Sequence, residues 1–95
     1  MFDKAKLALE AKRLQSTLAK EIIEVEAGNG AVKITVNGEQ KVQSVTLDPE
    51  KIDVDDVRQL EKWLESAMNQ AFKRSQQVAA DITKPFMDKL GMGGL

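Results

Sequence analysis

The sequence predicts an α+β fold: an N-terminal helix, a three-stranded antiparallel meander and a long C-terminal helix. Three observations carry that prediction. Leu7, Ala11, Leu14, Leu18, Ile22 and Val25 recur at spacings of three and four, the period of one helix face. Val32, Ile34 and Val36 alternate with Lys33 and Thr35, the period-two pattern of a half-buried strand. Val57, Leu60, Leu64, Ala67, Ala71, Val78 and Ile82 then form a second helical stripe, interrupted only around Arg74-Ser75.

The first helix is expected from about Phe2 to about Glu24. At about 100° per residue its apolar side chains span roughly 80°, and Lys6, Lys12, Arg13 and Lys20 lie roughly 120° or more from the stripe's centre. Lys4 sits nearer the edge. Ile23, Val25 and Ala27 alternate with Glu24 and Glu26, so the helix hands over to a strand in this region. Gly28-Asn29-Gly30 is a turn with two glycines free to take positive φ.

Asn37-Gly38 is the usual two-residue hairpin signal. A loop that short pairs Ile34 with Lys41 and Val32 with Gln43. A loop of about four to six residues brings Val45 or Leu47 opposite Val32 and keeps the apolar side chains on one face. Residues 37–40 are therefore expected inside a longer loop. Asp48-Pro49 ends the third strand, because Pro49 cannot donate to a ladder.

The last helix is expected from about Val54 to at least Ile82, with Asp53 and Asp55 as candidate N-caps. Met68 and Phe72 flank its stripe on one side and Trp63 on the other. Pro85 is expected to kink or break it and to bias Lys84 away from helical geometry. Phe86 and Leu90 keep the spacing beyond. Residues 91–95, Gly-Met-Gly-Gly-Leu, read as a flexible tail, which leaves 1–90 as a single domain.

Composition excludes several function classes. A chain of 95 residues is one domain that buries only roughly 60–65% of its unfolded surface. It has no Cys and no His, hence no disulfide framework, thiol nucleophile or cysteine zinc site, and neither the commonest general base nor the commonest metal ligand. Glu24, Glu26, Asp48, Asp53, Asp55 and Asp56 lack the alternating oxygen ligands and central glycine of a calcium loop. They read as caps and solvated edges, so no metal and no cofactor is expected. No paired acid, phosphate loop or nucleophile arrangement appears, and the chain is not expected to be an enzyme. No apolar run reaches the roughly 18–20 residues of a membrane span. Met1-Phe2-Asp3-Lys4 leads into an amphipathic pattern instead of a signal-peptide core, so a cytoplasmic protein with an intact N-terminus is expected.

The net charge of −1 hides a segregated distribution. Residues 1–20 carry five cations and two acids (+3), residues 21–65 five cations and eleven acids (−6), and residues 66–95 four cations and two acids (+2). The basic ends reopen a nucleic-acid reading that the average charge obscures.

A last helix of about 29 residues is roughly 43 Å long, whereas a compact domain of this size has a radius of gyration near roughly 12–13 Å. The helix overhangs its own domain while its stripe continues, so Val78, Ile82 and Phe86 need a cover. A second copy across a two-fold axis supplies one. Trp63, beside the stripe, reads as a core or dimer contact. The competing arrangement breaks the helix near Ser75-Gln76-Gln77 and folds it back.

Together these residues resemble the YbaB/EbfC family of bacterial nucleoid-associated, DNA-binding proteins. The resemblance rests on the amphipathic first helix, the 32–38 strand ending in Asn-Gly, and Val45-Thr46-Leu47-Asp48-Pro49. Leu60-Glu61 and Ala67-Met68-Asn69-Gln70-Ala71 followed by Lys73 complete it. It covers about residues 7–90 and implies a tweezer-shaped homodimer that binds duplex DNA with loose sequence preference in the nucleoid. The matching cations are Lys4, Lys6, Lys12, Arg13 and Lys20 of the first helix and Lys73, Arg74, Lys84 and Lys89 of the last. The Gly/Met-rich segment that precedes the first helix in many members is nearly absent here. No helix-turn-helix, zinc finger or aromatic-interleaved basic strand is visible, so backbone binding without a strict base code is expected. The alternative is a dimeric protein–protein adaptor acting through its acidic centre or residues 86–95, with no direct DNA binding.

Overall fold

The structure, a computed structural model, describes residues 4–89 and 91. The expectations for Phe2, Leu90 and residues 92–95 lie outside these residues. The element order is α1 (Lys4–Lys20), β1 (Ile22–Ala27), β2 (Val32–Asn37), β3 (Val42–Leu47) and α2 (Val57–Lys89). The three strands form one antiparallel sheet in sequential order.

α1 ends four residues earlier than its apolar period predicts. Ile22 pairs with Asn37 and opens the β1–β2 ladder. The Leu18 carbonyl accepts from Glu21 N–H (3.3 Å) and Gly38 N–H (2.8 Å), which closes the helix and ties it to the β2–β3 loop. Ile22, placed by its spacing in the helix stripe, is exposed on the sheet, while Ile23 and Val25 enter the core. Ladder formation by an Ile-Ile-Glu-Val run outweighs one more turn of helix.

The β2–β3 register is the long-loop one: Val32 pairs with Leu47, Ile34 with Val45 and Val36 with Val42, with a shift between Thr35 and Val36. Asn37 closes the loop. Its N–H donates to the Lys41 carbonyl at 3.0 Å, and its Oδ1 accepts from Glu39 N–H (2.9 Å) and Lys41 N–H (3.1 Å). At the opposite end Gly28, Asn29 and Gly30 all have positive φ. A Cβ on Gly28 would stand 2.5 Å from the Trp63 ring, so that glycine lets the indole lie against the turn.

α2 starts three residues later than expected, and its cap is Asp56, whose Oδ1 accepts Gln59 N–H at 3.2 Å. Asp53 caps a local turn instead, accepting Asp55 N–H at 2.9 Å. The helix runs unbroken through Pro85 and keeps Lys84 helical, which corrects the expectation of a break and of non-helical backbone at Lys84. It also runs unbroken past residues 75–77, so it does not fold back there.

Ile23, Val25, Val32, Ile34, Val36, Ala67 and Ala71 form the core, with Leu60, Trp63, Leu64, Phe72 and Val78 at its margin. Small Ala67 and Ala71 let α2 approach the sheet closely. Ser75, which reads as an interruption of the stripe, is fully buried within it. Its hydroxyl donates to the Asn37 carbonyl at 2.7 Å, which removes the cost of burying a polar group. Ser75→Ala is expected to lower stability by about 1 kcal/mol, read as a drop in urea midpoint at fixed protein concentration.

Candidate nucleic-acid interface

α2 has 33 residues and is therefore about 50 Å long. Its first half lies on β1 and β2, and its second half extends past the sheet to meet α1. Leu14 and Thr17 of α1 and Ile82, Pro85 and Phe86 of α2 line one cleft of ≈ 300 Å³. Glu10 and Lys89 pair across it at 3.4 Å. The two helices run antiparallel as a projecting arm. The molecule measures 63 × 24 × 15 Å with a radius of gyration of 17.9 Å, well above the roughly 12–13 Å of a compact domain this size.

The arm is where the positive charge collects. Segments 4–20 and 73–89 hold nine cations against Glu10, Asp81 and Asp88. Lys4, Lys6, Lys12, Arg13, Lys20, Lys73, Arg74, Lys84 and Lys89 are all exposed. Helix geometry sorts them. Lys6, Arg13 and Lys20 are seven residues apart, so they stack in one row about 21 Å long. Arg13 borders the cleft with α2, which puts this row on that side of α1. Lys73 and Lys84 are eleven apart and share a row on α2, roughly 140–160° around the helix from buried Ala71.

Four of the nine stand apart from these rows, Lys4 among them at the start of α1. Lys12 is on the other flank of α1. Lys89 is paired with Glu10. The Arg74 guanidinium donates to the Glu24 carbonyl at 3.3 Å and so is tied to the edge of β1. The seven-residue spacing of positions 6, 13 and 20 was open to view in the sequence; the tether on Arg74 was not, because it joins residues 50 apart.

Of the residues expected at a dimer contact, Val78 packs on the core margin, and Ile82 and Phe86 line the cleft with Leu14. Trp63 rests on Gly28 and borders an open hollow of ≈ 400 Å³ with Asp56, Arg58, Gln59 and Lys62. All four are half-buried by their own chain. The overhang that seemed to need a second copy is in part covered by α1. Among the described residues no helix is long and apolar enough to cross a membrane, and no group of three or more acids, His or Cys is placed to hold a metal ion.

The family model described as the YbaB/EbfC DNA-binding family matches residues 1–90. A nucleoid-associated protein of Chloroflexus aurantiacus is 38% identical over 86 residues, which are 90% of this chain and 84% of the relative. One from Ruminiclostridium cellulolyticum is 33% identical, over 95% of this chain and 76% of the relative. The crystal structure of an uncharacterized protein from Helicobacter pylori superposes with a TM-score of 0.69. It shares 19% identity and covers 83% of this chain and 92% of that one, a likeness of fold.

Proposed function

The chain belongs to the YbaB/EbfC DNA-binding family, a family of nucleoid-associated proteins, and on that premise we propose that it works as a homodimer whose helical arms grip the phosphate backbone of duplex DNA. The observation that carries this reading is the concentration of cations on the arm, in the rows Lys6–Arg13–Lys20 and Lys73–Lys84, beside a sheet region that is net acidic. Rows of Lys and Arg on a smooth helical surface meet phosphates and release counterions; they carry little information about base identity. Lys4, Lys12, Arg74 and Lys89 extend the contact at the margins of the rows. Two arms per dimer give the tweezer form. In the cytoplasm the protein acts on the nucleoid, where binding alters DNA organisation or gene expression.

The test is fluorescence anisotropy of a labelled duplex of about 30 bp. If about six phosphates are neutralised per dimer, affinity falls roughly a thousandfold between 50 and 200 mM salt. Scrambling the duplex sequence changes affinity little. Absence of binding at the low-salt end overturns the reading.

A further inference from the structure

We infer that the surface around Trp63 is a second ligand site, separate from the arm, that holds an unpaired nucleobase bearing a phosphate. The inference goes beyond duplex binding and does not rest on it. Trp63 is the only tryptophan of the chain, which has no tyrosine. Its ring is the wall shared by two open hollows. Asp56, Arg58, Gln59 and Lys62 line one, of ≈ 400 Å³. Gly28, Asn29 and Lys51 line the other, of ≈ 550 Å³. Each is of the size that small ligands occupy.

The indole is fixed in place by the turn between β1 and β2. A Cβ on Gly28 would stand 2.5 and 2.6 Å from the two atoms of the ring fusion, Cδ2 and Cε2. Contact at the fusion, in the middle of the ring system, means that the glycine lies over the face of the indole and not at its edge. One face is therefore seated on backbone, and the part of the half-buried ring that stays open lies toward the hollows. Every other residue lining them is polar, charged or glycine.

The charge around the ring runs against its surroundings. Residues 21–65 carry eleven acids and five cations. Three of those five, Lys51, Arg58 and Lys62, line the hollows at Trp63 against one acid, Asp56. Asp56 is already engaged as the cap of α2, accepting Gln59 N–H at 3.2 Å. The Lys51 ammonium donates to the Asn29 carbonyl at 2.8 Å, which uses one of its three donors and holds the charge beside the ring. The three cations come from two segments, the loop after β3 and the first turns of α2.

A simple anion has no use for the indole, and an uncharged aromatic ring has none for three cations. A nucleotide uses both: the base stacks on the aromatic ring and the phosphate meets Lys and Arg, the pairing by which proteins hold single-stranded nucleic acid. Gln59 offers an amide that can donate and accept at a base edge. A base inside a duplex is stacked between its neighbours and cannot reach the indole. The site therefore takes nucleotides that are free or at an unpaired strand end. It stands about 15 Å along α2 from Lys73, where the helix's cation row on the arm begins.

Trp63 is its own reporter. Its fluorescence in the full chain is titrated with adenosine monophosphate, and with ribose phosphate and inorganic phosphate as base-free controls. Adenosine monophosphate quenches with saturation, half-complete at about 1 mM, the order expected of one stacked base and one phosphate. The base-free probes do not quench. Arg58→Ala with Lys62→Ala, both exposed positions, raises the half-saturation about tenfold and leaves the circular dichroism unchanged. Anisotropy of a labelled blunt duplex, and of the same duplex ending in unpaired adenines, separates the two sources of the ligand. A strand-end ligand makes the overhanging duplex bind about tenfold tighter than the blunt one, an advantage lost in the doubly substituted protein. A free nucleotide quenches Trp63 with no such advantage. The mononucleotide titration needs no duplex binding, so failure of the arm reading leaves this test intact. No quenching by the mononucleotide or the overhanging duplex, equal quenching by ribose phosphate, or quenching unchanged by the double substitution overturns the inference.

Discussion

Reversing Lys12, Arg13 and Lys20 to glutamate reduces duplex affinity at near-physiological salt by a hundredfold or more, on the order expected when several phosphates are no longer neutralised. Each protomer exchanges three attractions for three repulsions, and the proposed two-fold dimer would double the change. Arg13 and Lys20 sit on the continuous α1 row, and Lys12 is on the other flank of the same helix. The same salt titration counts those phosphates, since each one released lowers the slope by about 0.9. Reversing Arg58 and Lys62 is the matched control. These are also exposed cations of α2, but they lie over the acidic middle of the chain, far from the arm. They change affinity several-fold at most by the weak reach of screened charge. Equal reductions from the two variants sink the arm as the binding surface and leave only a net-charge effect.

Gly38→Ala destabilises the chain by about 2–3 kcal/mol and weakens DNA binding with it, by forced overpacking against backbone. The Gly38 amide donates to the Leu18 carbonyl at 2.8 Å, and a Cβ on Gly38 would stand 2.7 Å from that same oxygen. Main chain on both sides of the contact cannot swing away as a side chain does. The methyl group is accommodated only if the end of α1 lifts off the β2–β3 loop. That movement breaks the 2.8 Å bond and drags the five α1 cations out of register with α2. Urea denaturation reads the stability change. Anisotropy of the still-folded fraction reads the functional one. By contrast, Gly28→Ala meets the Trp63 ring, a side chain far from the arm, so its cost falls on stability without altering the salt slope of DNA binding. A Gly38→Ala chain with unchanged midpoint contradicts the close approach between α1 and the sheet.

The two glycines illustrate which features were legible beforehand. Positive φ at Gly28 and Gly30 follows from a Gly-Asn-Gly run between two apolar strands. Gly38 looked like a hairpin glycine for the same kind of reason, yet it is needed as the seat of a helix that ends well before it in the chain. Asn37 is the same case. Local signals placed it in a turn, while its side chain and carbonyl join the loop, the Ala19 carbonyl of α1 (3.5 Å) and Ser75 of α2. The β2–β3 register was readable because a one-residue slip throws every side chain to the wrong face. The end of α1 was not, because Ile22 and Val25 satisfy the helical period while the run around them also suits a strand.

Sequence alone determined the elements, their order, the longer β2–β3 loop that keeps the apolar side chains on one face, and the segregation of basic ends from an acidic middle, since all of these follow from periodicity, turn chemistry and charge along a few neighbouring residues; the choice of Leu47 over Val45 opposite Val32 came from the structure. Only the tertiary structure decided that α1 lies on the far half of α2 and half-buries Ile82 and Phe86, that Arg74 is tethered to β1, and that α2 leaves β3 bare. Those outcomes depend on where a straight helix about 50 Å long runs out of sheet to cover. That is a matter of lengths and crossing in three dimensions, and no local pattern encodes it.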